Sequence, residues 1–120
     1  MILVTNNPLI KTKYENDFTV DFTETDLIGI LIRVRDSIHK GHKLLTHPLS
    51  GSVKPNETIY KTIMISAIPG ETDMQSVIII EDCITAVEKF TQRQLPEKFI
   101  YDMQVVDLSL IESAVGSAGK

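Results

Sequence analysis

Hydrophobic positions along this chain follow two periods, and the switches between them predict its elements. Ile2 to Thr5 is a short apolar run closed by Asn6-Asn7-Pro8, the pattern of a buried strand entering a turn. Pro8 suits a first helical position and opens a short helix through Tyr14. Phe18, Val20 and Phe22 then alternate with Thr19 and Asp21, which predicts a strand with one buried face. Leu27, Leu31, Val34 and Ile38 recur at helical spacing and share one face. Thr23 with Asp26, or Thr25 itself, can cap the first turn of that helix. Lys40 suits its last turn, and Gly41 can take the left-handed conformation that ends it.

Beyond Gly41 the pattern shortens. Lys43 to Thr46 reads as a strand, and the polar stretch 47–58, with Pro48, Gly51 and Pro55, excludes regular structure. Tyr60 to Ala67 is rich in β-branched residues and stops at Pro69-Gly70. A helix from Asp73 to Gln92 follows, with Thr72 and Gln75 at capping-box spacing and a stripe of Val77, Ile80, Ile84 and Val87, broadened by Ile78 and Ile79. Phe99 to Val106 reads as a last strand, and Ser109 can cap a short helix from Leu110 to Val115. Strands alternating with helices predict one α/β domain over residues 1–120. The expected form is a mostly parallel sheet of four to five strands with helices on both faces, a Rossmann-like or flavodoxin-like three-layer sandwich. The 43–46 and 60–66 strands, with no helix between them, are either antiparallel or joined by a long crossing loop.

Composition narrows the function classes. The chain has 120 residues, 42% of them hydrophobic and 23% charged, which fits a globular domain and argues against disorder. Its formal net charge of −4, with scattered Lys and Arg, argues against a nucleic-acid partner, which requires a basic stripe. A single cysteine, Cys83, permits no intrachain disulfide and fits a reducing compartment. Flanked by Glu81 and Asp82, it reads as an inert thiol. No run approaches the ~20 apolar residues that cross a bilayer. The N-terminus lacks a signal-peptide pattern. The expected setting is the cytoplasm, with no membrane partner.

In open parallel sheets, ligands bind beyond the carboxyl ends of the strands. Three polar segments follow predicted strands: Thr5-Asn6-Asn7, Thr46 through Ser52, and Asp107-Leu108-Ser109. The expected ligand-binding set is Thr5, Asn6, Asn7, Thr46, His47, Ser50, Gly51, Ser52, Lys54, Asn56 and Ser109. Ser50-Gly51-Ser52 with Lys54 can wrap a phosphate, acyl phosphate or carboxylate as a backbone nest, or can simply set turns. It lacks Walker spacing, and no dinucleotide fingerprint follows the first strand. Asn6 and Asn7 either bind ligand through their amides or close an Asx-turn before Pro8. His47, at a strand end beside the serine loop, is the best single candidate for a general acid or base, or for an anion-binding imidazolium. His39, His42 and His47 do not make a metal set, because Gly41 interrupts the helix between the first two and no Cys or carboxylate completes the ligands. Neither a metal nor a cofactor is expected.

The blocks Ile2-Leu3-Val4-Thr5-Asn6-Asn7-Pro8-Leu9, Ile38 through Thr58 and Val106 through Ala114 resemble the GrdX family over nearly the whole chain. Members are encoded with glycine, sarcosine and betaine reductases in anaerobic, amino-acid-fermenting bacteria. The resemblance implies a cytoplasmic accessory protein of that selenium-dependent pathway and transfers no functional residues. Three functions stay open: a non-catalytic accessory protein binding a small anion or a reductase component, a small enzyme using His47, and a structural homodimer built on the methionines and the broad apolar helix.

Overall fold

The computed structural model describes residues 1–49, 59–89 and 99–118. Its elements in chain order are β1 (Ile2–Thr5), α1 (Pro8–Tyr14), β2 (Thr19–Phe22), α2 (Leu27–His39), β3 (Thr62–Ile65), α3 (Met74–Glu88) and α4 (Ile100–Ala118). Among the described residues the sheet has three strands in the order β2-β1-β3. β1 and β2 are parallel, with Thr5 opposite Phe22. β1 and β3 are antiparallel, with Thr5 opposite Thr62.

This small mixed sheet overturns the expectation of a mostly parallel sheet of four to five strands, and two segments account for the difference. The first is Phe99–Val106, which is not a strand. Ile100 to Ala118 is one continuous helix whose Asp107 and Ile111, one turn apart, are buried. Its aromatic and β-branched residues mimic a strand, but Tyr101, Val105 and Val106 are exposed on the helix instead. Packing overrides their local preference.

The second is Lys43–Thr46, which begins a ladder and does not continue it. Leu44 bridges Ile65, the Leu45 amide donates to the Met64 carbonyl (2.8 Å), and the Ser66 amide donates to the Lys43 carbonyl (2.8 Å). The next rung would use the Met64 amide, which donates instead to Thr46 Oγ1 at 3.0 Å. A side chain thus takes the place of the Leu45 carbonyl, and the pairing ends there.

Alternation along the strands divides the core in two. Val4, Ile63 and Ile65 pack with Leu27, Ile30, Leu31, Val34 and Ile38 of α2 and with Ile80, Cys83, Ile84 and Val87 of α3. Leu3 and Met64 point the other way, against Ile10 and Tyr14 of α1 and Ile111 of α4. Each fully buried aliphatic side chain stabilises the fold by about 1.5–3 kcal/mol. The stripe predicted for α2 is the buried one. On α3, Ile80, Ile84 and Val87 are buried, but Ile78 is exposed.

Helix starts differ in detail from the sequence reading. Asp26 caps α2 by accepting from the Gly29 amide, and Asp73, not Thr72, caps α3 by accepting from the Ser76 amide. Gly41 ends α2 with φ at +106°, and its carbonyl accepts the Gly70 amide at 2.9 Å.

Candidate functional site

Because β3 runs against β1, its beginning and not its end lies beside the carboxyl end of β1. The rim therefore gathers Thr5, Asn6 and Asn7 with Lys61 and Thr62, and α4 lies against it through Asp107. A buried polar chain holds these parts together. Thr62 donates its amide to Asp107 Oδ1 (3.0 Å) and its hydroxyl to Oδ2 (2.7 Å). A hydroxyl has one proton, so Thr5, 2.7 Å from Thr62 Oγ1, must be the donor in that pair. Thr5 in turn accepts the Asn7 amide at 2.9 Å. Direction is thus fixed from Asn7 through Thr5 and Thr62 to the Asp107 carboxylate.

Both asparagines are spent on structure. Asn7 Oδ1 accepts the Leu9 amide and caps α1, while its Nδ2 donates to the Gln104 carbonyl (2.9 Å) and Asp107 Oδ2 (3.0 Å). Asn6 Nδ2 donates to the carbonyls of Thr25 and Ile59, each at 2.9 Å, and its Oδ1 accepts the Lys61 amide. Thr5, Asn6, Asn7, Thr62 and Asp107 are all buried. Burial without these partners would cost roughly 1–3 kcal/mol per group.

Two recesses open on this rim. A small one of about 70 Å³ is lined by Thr46, His47, Lys61, Thr62, Asp107, Leu110, Ile111 and Ala114. Water needs ~10–15 Å³ of such volume per molecule, so this space suits a few waters or one compact polar group. His47 Nδ1 accepts the Leu49 amide at 3.2 Å, which places the proton of the neutral ring on Nε2. Thr46 Oγ1 accepts the Met64 amide, and the described hydrogen bonds do not use its own proton. Lys61 is buried, and that burial pushes its amine below the ordinary lysine value, against the opposing pull of Asp107 and Cys83. Burial, with Asp82 adding to it, pushes the Cys83 thiol up, so the inert reading of this cysteine agrees with its surroundings.

The second recess, about 270 Å³, lies at the β1 and β2 ends and is lined by Asn6, Pro8, Phe22, Glu24, Thr25, Ile59 and Tyr60. A wider depression of about 450 Å³ runs along Lys11 and residues 15–20, away from the rim. Among the described residues no three His, Cys, Asp or Glu side chains gather as a metal site would require. His42 Nδ1 lies 2.7 Å from the Ser66 carbonyl and serves the 43–66 pairing.

The sequence matches the GrdX-like protein family over residues 2–116. The chain belongs to the GrdX family. No curated protein and no solved structure matches it. No helix among the described residues of this GrdX chain is long and apolar enough to cross a membrane.

Of the residues expected to bind ligand, Thr5, Asn6, Asn7, Thr46 and His47 meet on the rim, although the first three are committed to the buried network. Ser109 lies exposed on α4, two positions past Asp107 and so on a different side of the helix. Ser50, Gly51, Ser52, Lys54 and Asn56 lie outside the described residues. Sequence reasoning placed Asp107 in a rim segment but left it, with Lys61 and Thr62, out of the ligand-binding set. Asp107 had a readable signal, since it stands four residues before Ile111 and seven before Ala114, the spacing of an apolar helical face.

Proposed function

We propose that this GrdX chain is an accessory protein of the glycine, sarcosine and betaine reductase pathway that acts by binding a small anionic group in the recess between Thr46-His47 and α4. One observation supports this reading: Thr46 and His47, which line the recess together with buried Lys61, each carry a donor, Oγ1–H and Nε2–H, that the described hydrogen bonds do not use. The Asp107 carboxylate on the same wall already accepts three hydrogen bonds, which offset its charge. A compact oxyanion, inorganic phosphate or the carboxylate of a small acid, offers acceptors to the Thr46 and His47 donors.

Binding is favoured over catalysis by the tautomer of His47. Its Nδ1 lone pair is engaged by the Leu49 amide and its Nε2 carries the proton, which suits a donor to an anion better than a base. Titrating the protein with phosphate and acetate by calorimetry and thermal shift tests the reading. Saturable binding that His47→Ala weakens about tenfold, as expected for one charge-assisted hydrogen bond, supports it. Absence of binding to either anion, or binding unchanged by His47→Ala, overturns it. The expected macromolecular partner is a reductase component, to be tested by co-elution of the purified proteins.

A further inference from the structure

The 270 Å³ recess has a chemistry opposite to that of its neighbour. Among the described residues that line it, Glu24, an exposed residue, is the charged one, and Phe22, Tyr60, Pro8 and Ile59 are the aromatic and apolar ones. Asn6, also in the lining, has no side-chain donor left, because both amide protons go to the Thr25 and Ile59 carbonyls. The described lining thus holds a carboxylate and two aromatic side chains, and among the described residues it holds no side-chain cation. Phe22 already attracts positive charge: the Lys11 ammonium stands 5.6 Å from its ring centroid, although Lys11 is not part of the recess lining. That is the geometry in which an aromatic ring stabilises a cation.

The geometry points to a second binding site here for a small organic cation of the methylated-ammonium class. Methyl groups on nitrogen spread the charge over an apolar surface that Phe22, Tyr60, Pro8 and Ile59 can cover, while Glu24 neutralises it. An anion would meet Glu24, and a bare metal ion would find too few oxygen ligands. The volume falls just under the ~300 Å³ at which drug-sized pockets begin, so the ligand is small. This inference does not rest on the anion reading: among the described residues the two recesses share no lining residue.

The test is a titration of the full chain, isotopically labelled, with tetramethylammonium chloride, following amide resonances of Glu24, Thr25 and Tyr60. Tert-butanol serves as the neutral mimic of similar shape, and sodium chloride as the salt control. Saturable shifts are expected with tetramethylammonium alone. Glu24→Gln should weaken binding about fivefold by removing one adjacent charge. Tyr60→Leu should weaken it about threefold by removing a π-face. Lys11→Met should tighten it, because a competing cation leaves Phe22. Glu24 and Lys11 are exposed, so their replacement leaves the fold intact. Linear shifts alone, equal shifts with tert-butanol, or affinity unchanged in Glu24→Gln would each overturn the assignment. Phosphate binding near His47 should be indifferent to Glu24→Gln, which separates failure here from failure of the anion site.

Discussion

Thr62 meets Asp107 twice, its amide on one carboxylate oxygen at 3.0 Å and its hydroxyl on the other at 2.7 Å. This two-point contact joins the start of β3 to the middle of α4 across 45 residues of chain. Asn7 adds a third donor from the β1–α1 turn, so one buried carboxylate ties three elements together. Asp107→Ala should therefore destabilise the fold by about 3 kcal/mol or more, because it strands the Thr62 amide and the Asn7 side chain. Asp107→Asn should do little better, since its NH2 group must face donors on Thr62 or Asn7. Urea denaturation decides it, and an Asn variant with a wild-type midpoint would contradict the hydrogen-bond direction derived above.

Asn6 offers a different test, because its role is to clamp two loops. Its amide protons reach Thr25 ahead of α2 and Ile59 ahead of β3. Asn6→Asp keeps the acceptor for the Lys61 amide but points a carboxylate at two carbonyl oxygens. We expect Asn6→Asp to unfold at lower denaturant than Asn6→Ala, even though it is the closer match in shape. The reverse order would mean that Asn6 contributes mainly through the Lys61 amide.

How much of this could be read from the sequence depended on the range of the interaction. The Asn6-Asn7-Pro8 turn, the α2 stripe and Gly41 as a helix end are local events, set by neighbours within one turn, and were legible. Strand direction was not, because β3 is antiparallel owing to a return path that no local pattern encodes. The residues of 43–46 favour a strand, yet Thr46 Oγ1 takes the Met64 amide and stops the ladder, a competition visible only once the two segments meet. In α4 the cause is physical: Phe99–Val106 carries a strand's composition, while Ile10, Tyr14 and Thr62, which hold the helix through Ile111 and Asp107, lie 45 or more residues before those partners. Thr5, Asn6, Asn7, Thr46 and His47 still meet on one rim, because β3 begins where a parallel strand would have ended. Most of the buried polar groups there are paired with one another across long stretches of chain, which residue type alone does not encode.

Gly41 is constrained twice over. Its φ of +106° disfavours any residue with a Cβ, and a Cβ built there would stand 2.1 Å from the Gly70 carbonyl oxygen. Gly41→Ala should cost more than the ~1 kcal/mol typical of a left-handed position alone, since the backbone of residue 70 must also move. The Gly41–Gly70 hydrogen bond would break, so amide exchange at Gly70 should accelerate along with the loss of thermal stability. Loss of stability without faster exchange at Gly70 would assign the cost to φ alone.

Lys61 gives a pH signature with a definite sign. Burial holds its amine below the ordinary value of 10.5, with Asp107 and Cys83 opposing. Between the folded and unfolded values the unfolded chain binds more protons at this residue, and stability then rises with pH. Below the folded value both states are charged and the penalty is constant. Above 10.5 both are neutral and it has gone. Tyr14 acts in the opposite sense, because burial raises its phenol above 10.0 and the unfolded chain loses that proton first. The two contributions overlap in alkaline solution, so wild-type curves alone cannot separate them. Lys61→Met keeps Tyr14 and removes the amine. The unfolding free energy of the wild type, measured relative to Lys61→Met, should climb as pH is raised from neutrality toward about 10.5 and then level. Parallel curves would place the Lys61 ammonium in water, outside the rim recess that it is argued to charge.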